Sequence, residues 1–358
     1  MTPFSTKGET TDQTRLLFQL LNDTTVLSNY DIPGRVFSIL MESISYGIIV
    51  VAFFGMTGNI IITFTKMGFS ESINISYCAL CISDILCIIA FSWNALCFIP
   101  AFTDLDLPFI PSEIVIVTGG SAVEIFSETT AWITAFISLE RCLCVVFPLK
   151  VKDIVRPRRT VFIVVTIFAL TILPLASITF YIYVFYSRFD TKTNRTLIGV
   201  RLRKSSLANT IFYIHPFFKM VFMNITPLVI VFVCSLSMAV HLNRSAAWRL
   251  NQSGSISLNA KDNKAMRKYL KDTRVAKTVL AIATCFMVLE SFGALRRLVA
   301  ATLPEFRLMG AYSRFFKAIT RLAFSFSLIN SSVNFIIYYK MGKKFRHTVK
   351  HMLLSNGQ

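Results

Sequence analysis

The chain has 358 residues, of which 54% are hydrophobic and only 16% charged, and its formal net charge is +18. Soluble proteins have roughly a quarter of their residues charged, and a mean hydropathy of +0.60 is too high for a soluble domain. The composition therefore places the chain in a lipid membrane. Its excess of basic residues points to an anionic leaflet and a cytosolic protein partner, not to nucleic acid.

Seven apolar runs follow a polar segment, residues 1–43, which we expect to be extracellular. The runs cover residues 44–64, 73–99, 114–147, 161–186, 211–242, 275–300 and 315–339. A helix needs about 20 apolar residues to cross a hydrocarbon core. A basic amphipathic stretch at 341–354 is typical of a helix on the inner leaflet. The sequence predicts an all-α membrane protein: a seven-transmembrane helix bundle (44–340), then a short amphipathic eighth helix and cytoplasmic tail (341–358).

The distribution of basic residues predicts the orientation. If the polar segment is outside, the inner loops, tail and adjoining span ends hold 20 Lys and Arg against four acids. The outer segments and span ends hold 15 against ten. Because Lys and Arg are in excess on the cytoplasmic side of membrane proteins, we expect an extracellular amino terminus in the plasma membrane. The sequons at Asn22 and Asn194 fall on outer segments and are predicted glycosylation sites.

The cysteines and histidines do not suggest an enzyme or a metal centre. All eight cysteines lie in or beside apolar runs, so we expect buried free thiols. The four histidines are scattered, and the glycines form no phosphate-binding loop. We therefore predict no enzymatic activity and no cofactor.

Short motifs lie in order along the predicted spans. They are Gly58-Asn59, Leu80-Cys81-Ile82-Ser83-Asp84, Glu140-Arg141-Cys142 with Pro148-Leu149, Pro227, Asn334-Phe335-Ile336-Ile337-Tyr338, and Phe345. Together they resemble the motifs of rhodopsin-class (class A) G-protein-coupled receptors. This resemblance covers residues 44–354 and implies an extracellular small-molecule or peptide ligand and a heterotrimeric G protein as partner.

Longer sequence segments within the same region point to one group of receptors inside this class. They lie at 131–136, 140–144, 148–152, 157–160 and 330–334. These segments resemble molluscan chemosensory receptors, which implies a chemosensory function. A neuropeptide receptor of the same class is the alternative.

The resemblance also gives roles to polar residues inside the spans, where ionisable groups are costly and usually functional. One group would hold a sodium ion and waters or form a hydrogen-bonded network without an ion: Asp84, Thr130, Asn330, Ser331 and Asn334. A second group would form the switch for G-protein coupling: Glu140, Arg141, Asp272 and Tyr338. In that switch the arginine would pair with one of the two acids, and breaking the pair would release the inner end of the sixth span.

Charged residues in the outer halves of the spans predict a polar pocket. Glu124, Ser127 and Glu128 share one helix face because they are three and four residues apart. Lys219 is placed to point at Glu128, and Glu290 would lie one level deeper with Lys219 as its nearest cation. One interpretation is a ligand pocket for a cation, an amino acid or a peptide terminus. The other is a set of ion pairs that hold the helices together.

Three arginines leave the charge of the ligand open. Arg296, Arg297 and Arg321 lie toward the outer ends of the sixth and seventh runs. They would ring the mouth of the predicted pocket and could equally guide an anionic ligand.

Two departures from the rhodopsin class affect the expected geometry. Ile116 stands where that class keeps a cysteine, and the loop 187–210 contains no cysteine, so the usual disulfide across the outer face is not expected. Glu290 stands where the class keeps the aromatic residue of its sixth-span switch, and Phe292 where it keeps a proline.

Other classes of membrane protein fit less well. A transporter or channel is the alternative from another class, but secondary transporters show repeated halves, and the seven runs show no internal repeat. A retinal photoreceptor would need a lysine in the middle of the seventh run, where Leu328 stands.

Overall fold

A computed structural model gives the fold of the chain. It describes residues 31–65, 72–147, 156–191, 194–252, 260–307, 310–341 and 346. For residues 64, 65, 245–252, 260–272, 274, 275 and 341 it describes the backbone alone.

The described residues contain seven helices that are long and apolar enough to cross a membrane. They are α1 (Gly34–Thr65), α2 (Ser72–Leu96), α3 (Pro111–Val146), α4 (Pro157–Ile182), α5 (Ser206–Gln252), α6 (Ala260–Thr302) and α7 (Ser313–Met341). A single helical turn, Pro100–Thr103, lies between α2 and α3. The predicted seven-helix bundle is confirmed. Helix α1 begins at Gly34, inside the segment that the sequence assigns to the extracellular terminus.

A β-hairpin follows α4 and was not expected from the sequence. Strand β1 (Tyr183–Asp190) pairs antiparallel with β2 (Arg195–Leu202), with Tyr183 opposite Leu202 and Asp190 opposite Arg195. The predicted fourth span, 161–186, therefore runs too far, because α4 ends at Ile182. An aromatic and β-branched segment fits a strand as well as a helix, so its apolar character alone did not separate them. We call this end of the bundle the hairpin end.

Proline and serine residues fix where several helices begin. Pro111 and Pro157 occupy the first turns of α3 and α4, where the missing N–H would have no partner within the helix. Ser205 caps α5, because its hydroxyl accepts a hydrogen bond from the Ala208 N–H at 3.0 Å. Helix α5 begins four residues after β2 ends, at the hairpin end of the bundle, and α3 begins at the same end.

Two wide π-turns interrupt α3 and α5 close to the hairpin end, at Ile116–Gly120 and Met220–Ile225. The side chains of Asn224 and Thr226 donate to backbone carbonyls five residues earlier, each at 3.0 Å. These side-chain bonds add to the backbone hydrogen bonds of the wider turn, since the Val221 carbonyl also accepts the Thr226 N–H. A π-turn adds a residue to one turn of helix, so it changes the direction of the side chains that flank it, Lys219 among them.

Glycine lets α1 and α7 pack closely. A Cβ atom on Gly58 would lie 2.7 Å from the Cβ of Phe335, and Gly55 faces Ser332 in the same way. Small residues at helix contacts are typical of membrane bundles, where dispersion and close packing drive association. The close contact places the polar residues of α7 against α1 and α2.

Candidate functional site

Lys219 is the centre of a buried charged cluster near the hairpin end. Its Nζ atom lies 2.6 Å from Glu124 Oε2 and 3.2 Å from Glu128 Oε1. We call these three residues the lysine cluster. Lys219 and Glu128 are buried, whereas the Glu124 side chain is 40% exposed although it lies within a spanning helix. The lysine cluster is therefore only partly enclosed, on the side of Glu124.

Glu290 and Ser127 lie apart from the lysine cluster. Glu290 Oε1 accepts a hydrogen bond of 2.8 Å from the Ser327 hydroxyl, which links α6 to α7. Lys219 is thus not its partner, contrary to the sequence-based expectation, because the ammonium group is taken by two carboxylates of α3. The Ser127 hydroxyl lies 3.3 Å from the Cys87 thiol, so it links α3 to α2.

Arg321 does not lie at the mouth of the bundle. It is only 3% exposed, and its guanidinium donates to Asn94 Oδ1 and, at 2.6 Å, to Ser45 Oγ. Its guanidinium carbon also lies 4.3 Å from the centre of the Phe98 ring. Arg321 therefore joins α7 to α1 and α2, which corrects the expected ring of three arginines. The other two arginines stay within electrostatic range of the lysine cluster.

Asp84 is the centre of a polar network in the middle of the bundle. Its Oδ1 accepts a hydrogen bond of 3.1 Å from Thr130, and its Oδ2 accepts one of 2.8 Å from the Asn334 amide. The hydroxyls of Ser83 and Thr130 lie 2.9 Å apart, and Ser331 borders the same carboxylate. The network joins α2, α3 and α7 through polar side chains that hydrocarbon would otherwise penalise.

The groups around Asp84 fit a small hard cation such as sodium, which takes oxygen ligands. Two hydroxyl groups, those of Thr130 and Ser331, border the carboxylate. Asn334 turns its amide nitrogen to Asp84, so it orients the carboxylate and would not itself bind a cation. Asn330 is buried one residue before Ser331 on α7. The same residues also form a network that is complete without an ion.

Arg141 and Glu140 pair at the end of α3 opposite the hairpin. Arg141 Nη2 lies 2.9 Å from Glu140 Oε1, and their side chains are 15% and 1% exposed. The Ser76 hydroxyl of α2 donates to Glu140 Oε2 at 3.0 Å. Beside them Tyr338 of α7 meets Tyr77 edge to face, with ring centres 5.0 Å apart. Residues of α2, α3 and α7 therefore converge where the switch was predicted.

Glu113 fastens the hairpin to the start of α3. Its carboxylate accepts hydrogen bonds from the Val200 N–H at 3.0 Å and from the Tyr186 hydroxyl at 3.1 Å. The backbone N–H of Ile110 also donates to the carbonyl of Ile198 at 2.9 Å. All eight cysteines of the chain are free, so these contacts hold the hairpin without a covalent bond.

The sequence matches the family model described as "Serpentine type 7TM GPCR chemoreceptor Srw" over residues 43–356. No curated protein matches the chain. The chain belongs to the Srw chemoreceptor family. This Srw receptor is a multi-pass membrane protein, and its family is one of chemosensory receptors, not of enzymes. The match supports the predicted chemoreceptor, whereas it gives no support to the molluscan resemblance.

Several predicted features of this Srw receptor lie outside the described residues. They include Asn22, the side chain of Asp272 and most of the predicted eighth helix at 341–354. Asn194 is described: it is exposed in the turn between β1 and β2, with a φ angle of 53°. Asparagine tolerates this left-handed conformation better than most residues.

Sequence reasoning missed three contacts that build the site. Glu113 stands in the first turn of α3, where an acid is common for its interaction with the helix dipole, so nothing marked it as a tether. Ser45 gave no signal. Ser76 lies seven residues before Ser83, hence on the same face of α2, and that spacing could have placed it near Glu140.

Proposed function

We propose that this Srw receptor is a rhodopsin-like G-protein-coupled receptor of the plasma membrane, which transduces an extracellular chemical ligand to a heterotrimeric G protein. The observation that supports this best is on α3, which carries Glu124 in the half on the hairpin side and Arg141 near its other end. At 1.5 Å per residue the two lie about 25 Å apart along the helix. One helix therefore connects a polar site near the hairpin with a charged pair at the opposite face.

In this proposal the hairpin end is extracellular and the ligand binds beside the lysine cluster. Binding would favour a second arrangement of the helices, in which Arg141 leaves Glu140 and contacts the G protein. The Asp84 network lies between the two sites and contacts α2, α3 and α7. A ligand changes the populations of two such states only by its difference in affinity for them. Because both sites include residues of α3, a ligand that favours one arrangement at the lysine cluster can also favour one arrangement of Arg141.

A ligand screen with two readouts tests the proposal. The chain is expressed in cultured cells, small molecules and peptides are applied, and G-protein activation is measured with ion flux as the second readout. Arg141→Ala, expressed at the same surface level, is the matched control. Activation in the wild type that is lost in Arg141→Ala supports the proposal. A ligand-gated current without G-protein activation would favour the channel alternative instead.

The proposed orientation has its own test at Asn194. This residue lies exposed in the hairpin turn, so an extracellular hairpin would pass through the secretory lumen and accept a glycan. We expect removal of N-glycans to increase gel mobility, and Asn194→Gln to remove part of that change. An epitope before residue 30 should be labelled on intact cells. Labelling only after permeabilisation would show that the orientation is reversed.

A further inference from the structure

Arg296 and Arg297 form an arginine pair near the hairpin end of α6. The Arg297 side chain folds back over Gly293, since a Cβ atom there would lie 3.2 Å from Arg297 Nη2. A side chain that turns toward the start of its helix reaches deeper into the bundle. Arg297 consequently lies within electrostatic range of Glu124, Glu128 and Glu290.

The guanidinium of Arg296 is buried and has few partners that offset its charge. It is 8% exposed, and its Nη1 donates to the Thr320 hydroxyl at 3.3 Å. Its guanidinium carbon lies 5.6 Å from the centre of the Phe316 ring. The Nε atoms of both Arg296 and Arg297 are buried without a hydrogen-bond partner. Within the described part of the chain, neither arginine has a carboxylate within salt-bridge distance.

The two guanidinium groups belong to consecutive residues of α6, and neither is in an ion pair with a described residue. They are close enough to repel one another, and both donors and charges are costly when they are buried without partners. The nearest acids are already engaged. Glu124 and Glu128 share Lys219, and Glu290 accepts the Ser327 hydroxyl.

We propose that the arginine pair binds an anionic group of the ligand, a carboxylate or a phosphate. An anion placed between the two guanidiniums would relieve their repulsion and accept hydrogen bonds from donors that the chain leaves free, in the forked geometry that arginine offers. The Glu124 side chain of α3 lies within electrostatic range of both arginines and is 40% exposed, so the helices are not tightly packed at this level. This inference rests on the proposed receptor function and names the ligand class of the same site.

The competing possibility is a cationic ligand held by Glu290. The two possibilities predict opposite effects of one substitution. Glu290→Gln removes a negative charge near Arg297, so it should strengthen the binding of an anion. The same substitution should weaken the binding of a cation.

Binding is measured on the full chain in bilayer discs of uncharged lipid, with no G protein present, so that failed signalling does not affect the result. The thermal unfolding midpoint is followed in succinate, glutamate or inorganic phosphate, with choline as the cationic probe, at constant ionic strength. A ligand that binds only the folded state raises this midpoint. Succinate and phosphate separate the carboxylate from the phosphate source of the anionic group.

We expect at least one anion to raise the midpoint of the wild type. Arg296→Gln and Arg297→Gln should each lower the affinity for that anion on the order of tenfold, which is the usual effect of losing a charged hydrogen bond. Arg297→Lys should retain part of the affinity, and Arg188→Gln, at an exposed hairpin arginine, should leave it unchanged.

Three results would overturn the inference. One is the absence of a midpoint shift with any of the three anions. The second is an equal shift in the double variant Arg296→Gln/Arg297→Gln, which would mean adventitious binding only. The third is a shift with choline that Glu290→Gln abolishes. None of these results bears on whether the receptor activates a G protein.

Discussion

The backbone N–H of Val200 donates a hydrogen bond to the Glu113 carboxylate at 3.0 Å, and this contact joins the hairpin to α3. Tyr186 donates to the same carboxylate. Gly199 makes the approach possible, because a Cβ atom there would lie 2.8 Å from the Tyr186 ring. Ile116, three residues after Glu113 on α3, stands where the rhodopsin class has its disulfide cysteine. A carboxylate therefore supplies a tether close to where that class has a covalent one.

Removing this tether should loosen the hairpin without unfolding the bundle. A hydrogen bond to a charged group contributes about 1.5–3 kcal/mol, and the half-buried setting of Glu113 favours the lower end. Glu113→Ala should therefore increase the hydrogen-exchange rate of the Val200 amide roughly tenfold or more. Asp104→Ala, at an exposed acid of the preceding loop, is the control and should change nothing. Equal exchange in wild type and Glu113→Ala would mean that the strand pairing alone holds the hairpin.

Lys219 should be essential for folding, because it compensates two carboxylates at once. Removing one partner of a buried ion pair costs about 3–5 kcal/mol, so Lys219→Met should lower both surface level and thermal midpoint. Adding Glu128→Gln to Lys219→Met should restore part of both, since it removes the buried charge left behind. Lys317→Met, at an exposed lysine of α7, is the control. If Lys219→Met reaches the surface normally but loses its response to a ligand, the lysine binds ligand and is not structural.

The seven helices were predictable because each span must be apolar over its whole length, and composition shows that directly. Helix ends were less predictable. Residues 183–186 continue the apolar run of α4 but lie in β1, because Arg195–Leu202 offers them a strand partner. That pairing cannot be read from the apolar run itself.

The polar site was predictable residue by residue, and so was the pair of Lys219 with Glu128, whose charged atoms lie 3.2 Å apart. The closer contact of Lys219 with Glu124 was not predicted. Lys219 and the acids of α3 stood out as charges in apolar spans. A π-turn follows Lys219 and changes the direction of the side chains beside it, and Lys219 contacts both acids. A one-residue change in helical phase leaves no trace in hydrophobic periodicity. Arg321 could be placed on α7, but its contact with Asn94 depends on how α7 packs against α2, which the sequence does not show.

Asp31 joins the segment before α1 to the first turn of α7. Its carboxylate accepts hydrogen bonds of 2.9 Å from the backbone N–H groups of Arg314 and Phe315. Partial burial raises the pKa of Asp31, but these bonds, a third from the Ile32 N–H and the charge of Arg314 outweigh it and lower the pKa below its usual value. The ionised side chain therefore stabilises the start of α7.

The lowered pKa gives the direction of a pH effect. The stabilisation is fully present above the ordinary pKa of an aspartate, about 3.9. It is lost as the pH falls through the lower pKa of the folded state. We expect Asp31→Asn to reduce the thermal midpoint at neutral pH, and the difference from wild type to shrink below about pH 4. A difference that stays constant down to pH 3 would assign the loss to something other than the carboxylate charge.

Asp84 provides a test of the sodium hypothesis. If an ion binds there, sodium chloride should raise the thermal midpoint of the wild type more than choline chloride does, since an ion bound to the folded state stabilises it. Asp84→Asn should remove the difference between the two salts. Asn334→Asp, which offers oxygen where the amide nitrogen now donates, should strengthen sodium binding. Equal effects of both salts on the wild type would favour the network without an ion.

The last prediction concerns Arg141 and the acid beside it. The pair is mostly buried, with side chains 15% and 1% exposed, and a difference of even about 1 kcal/mol between two states changes their populations several-fold. Glu140→Gln should free Arg141 and raise ligand-independent signalling several-fold, while keeping a hydrogen-bond acceptor for Ser76. Ser76→Ala should produce a smaller increase in the same direction, because it only loosens Glu140. Asp272→Ala tests the other predicted partner in the same assay.

Arg141→Ala should abolish G-protein activation and leave ligand affinity nearly unchanged, because Arg141 lies about 25 Å from Glu124 along α3. The two measurements are made on variants matched for surface level. Signalling that stays at the wild-type level in Glu140→Gln, Asp272→Ala and Arg141→Ala alike would show that the arginine only anchors α3 at the membrane surface. A loss of ligand binding in Arg141→Ala would instead mean that the substitution disturbs the whole bundle. Only the combination of lost coupling and retained binding identifies Arg141 as the switch.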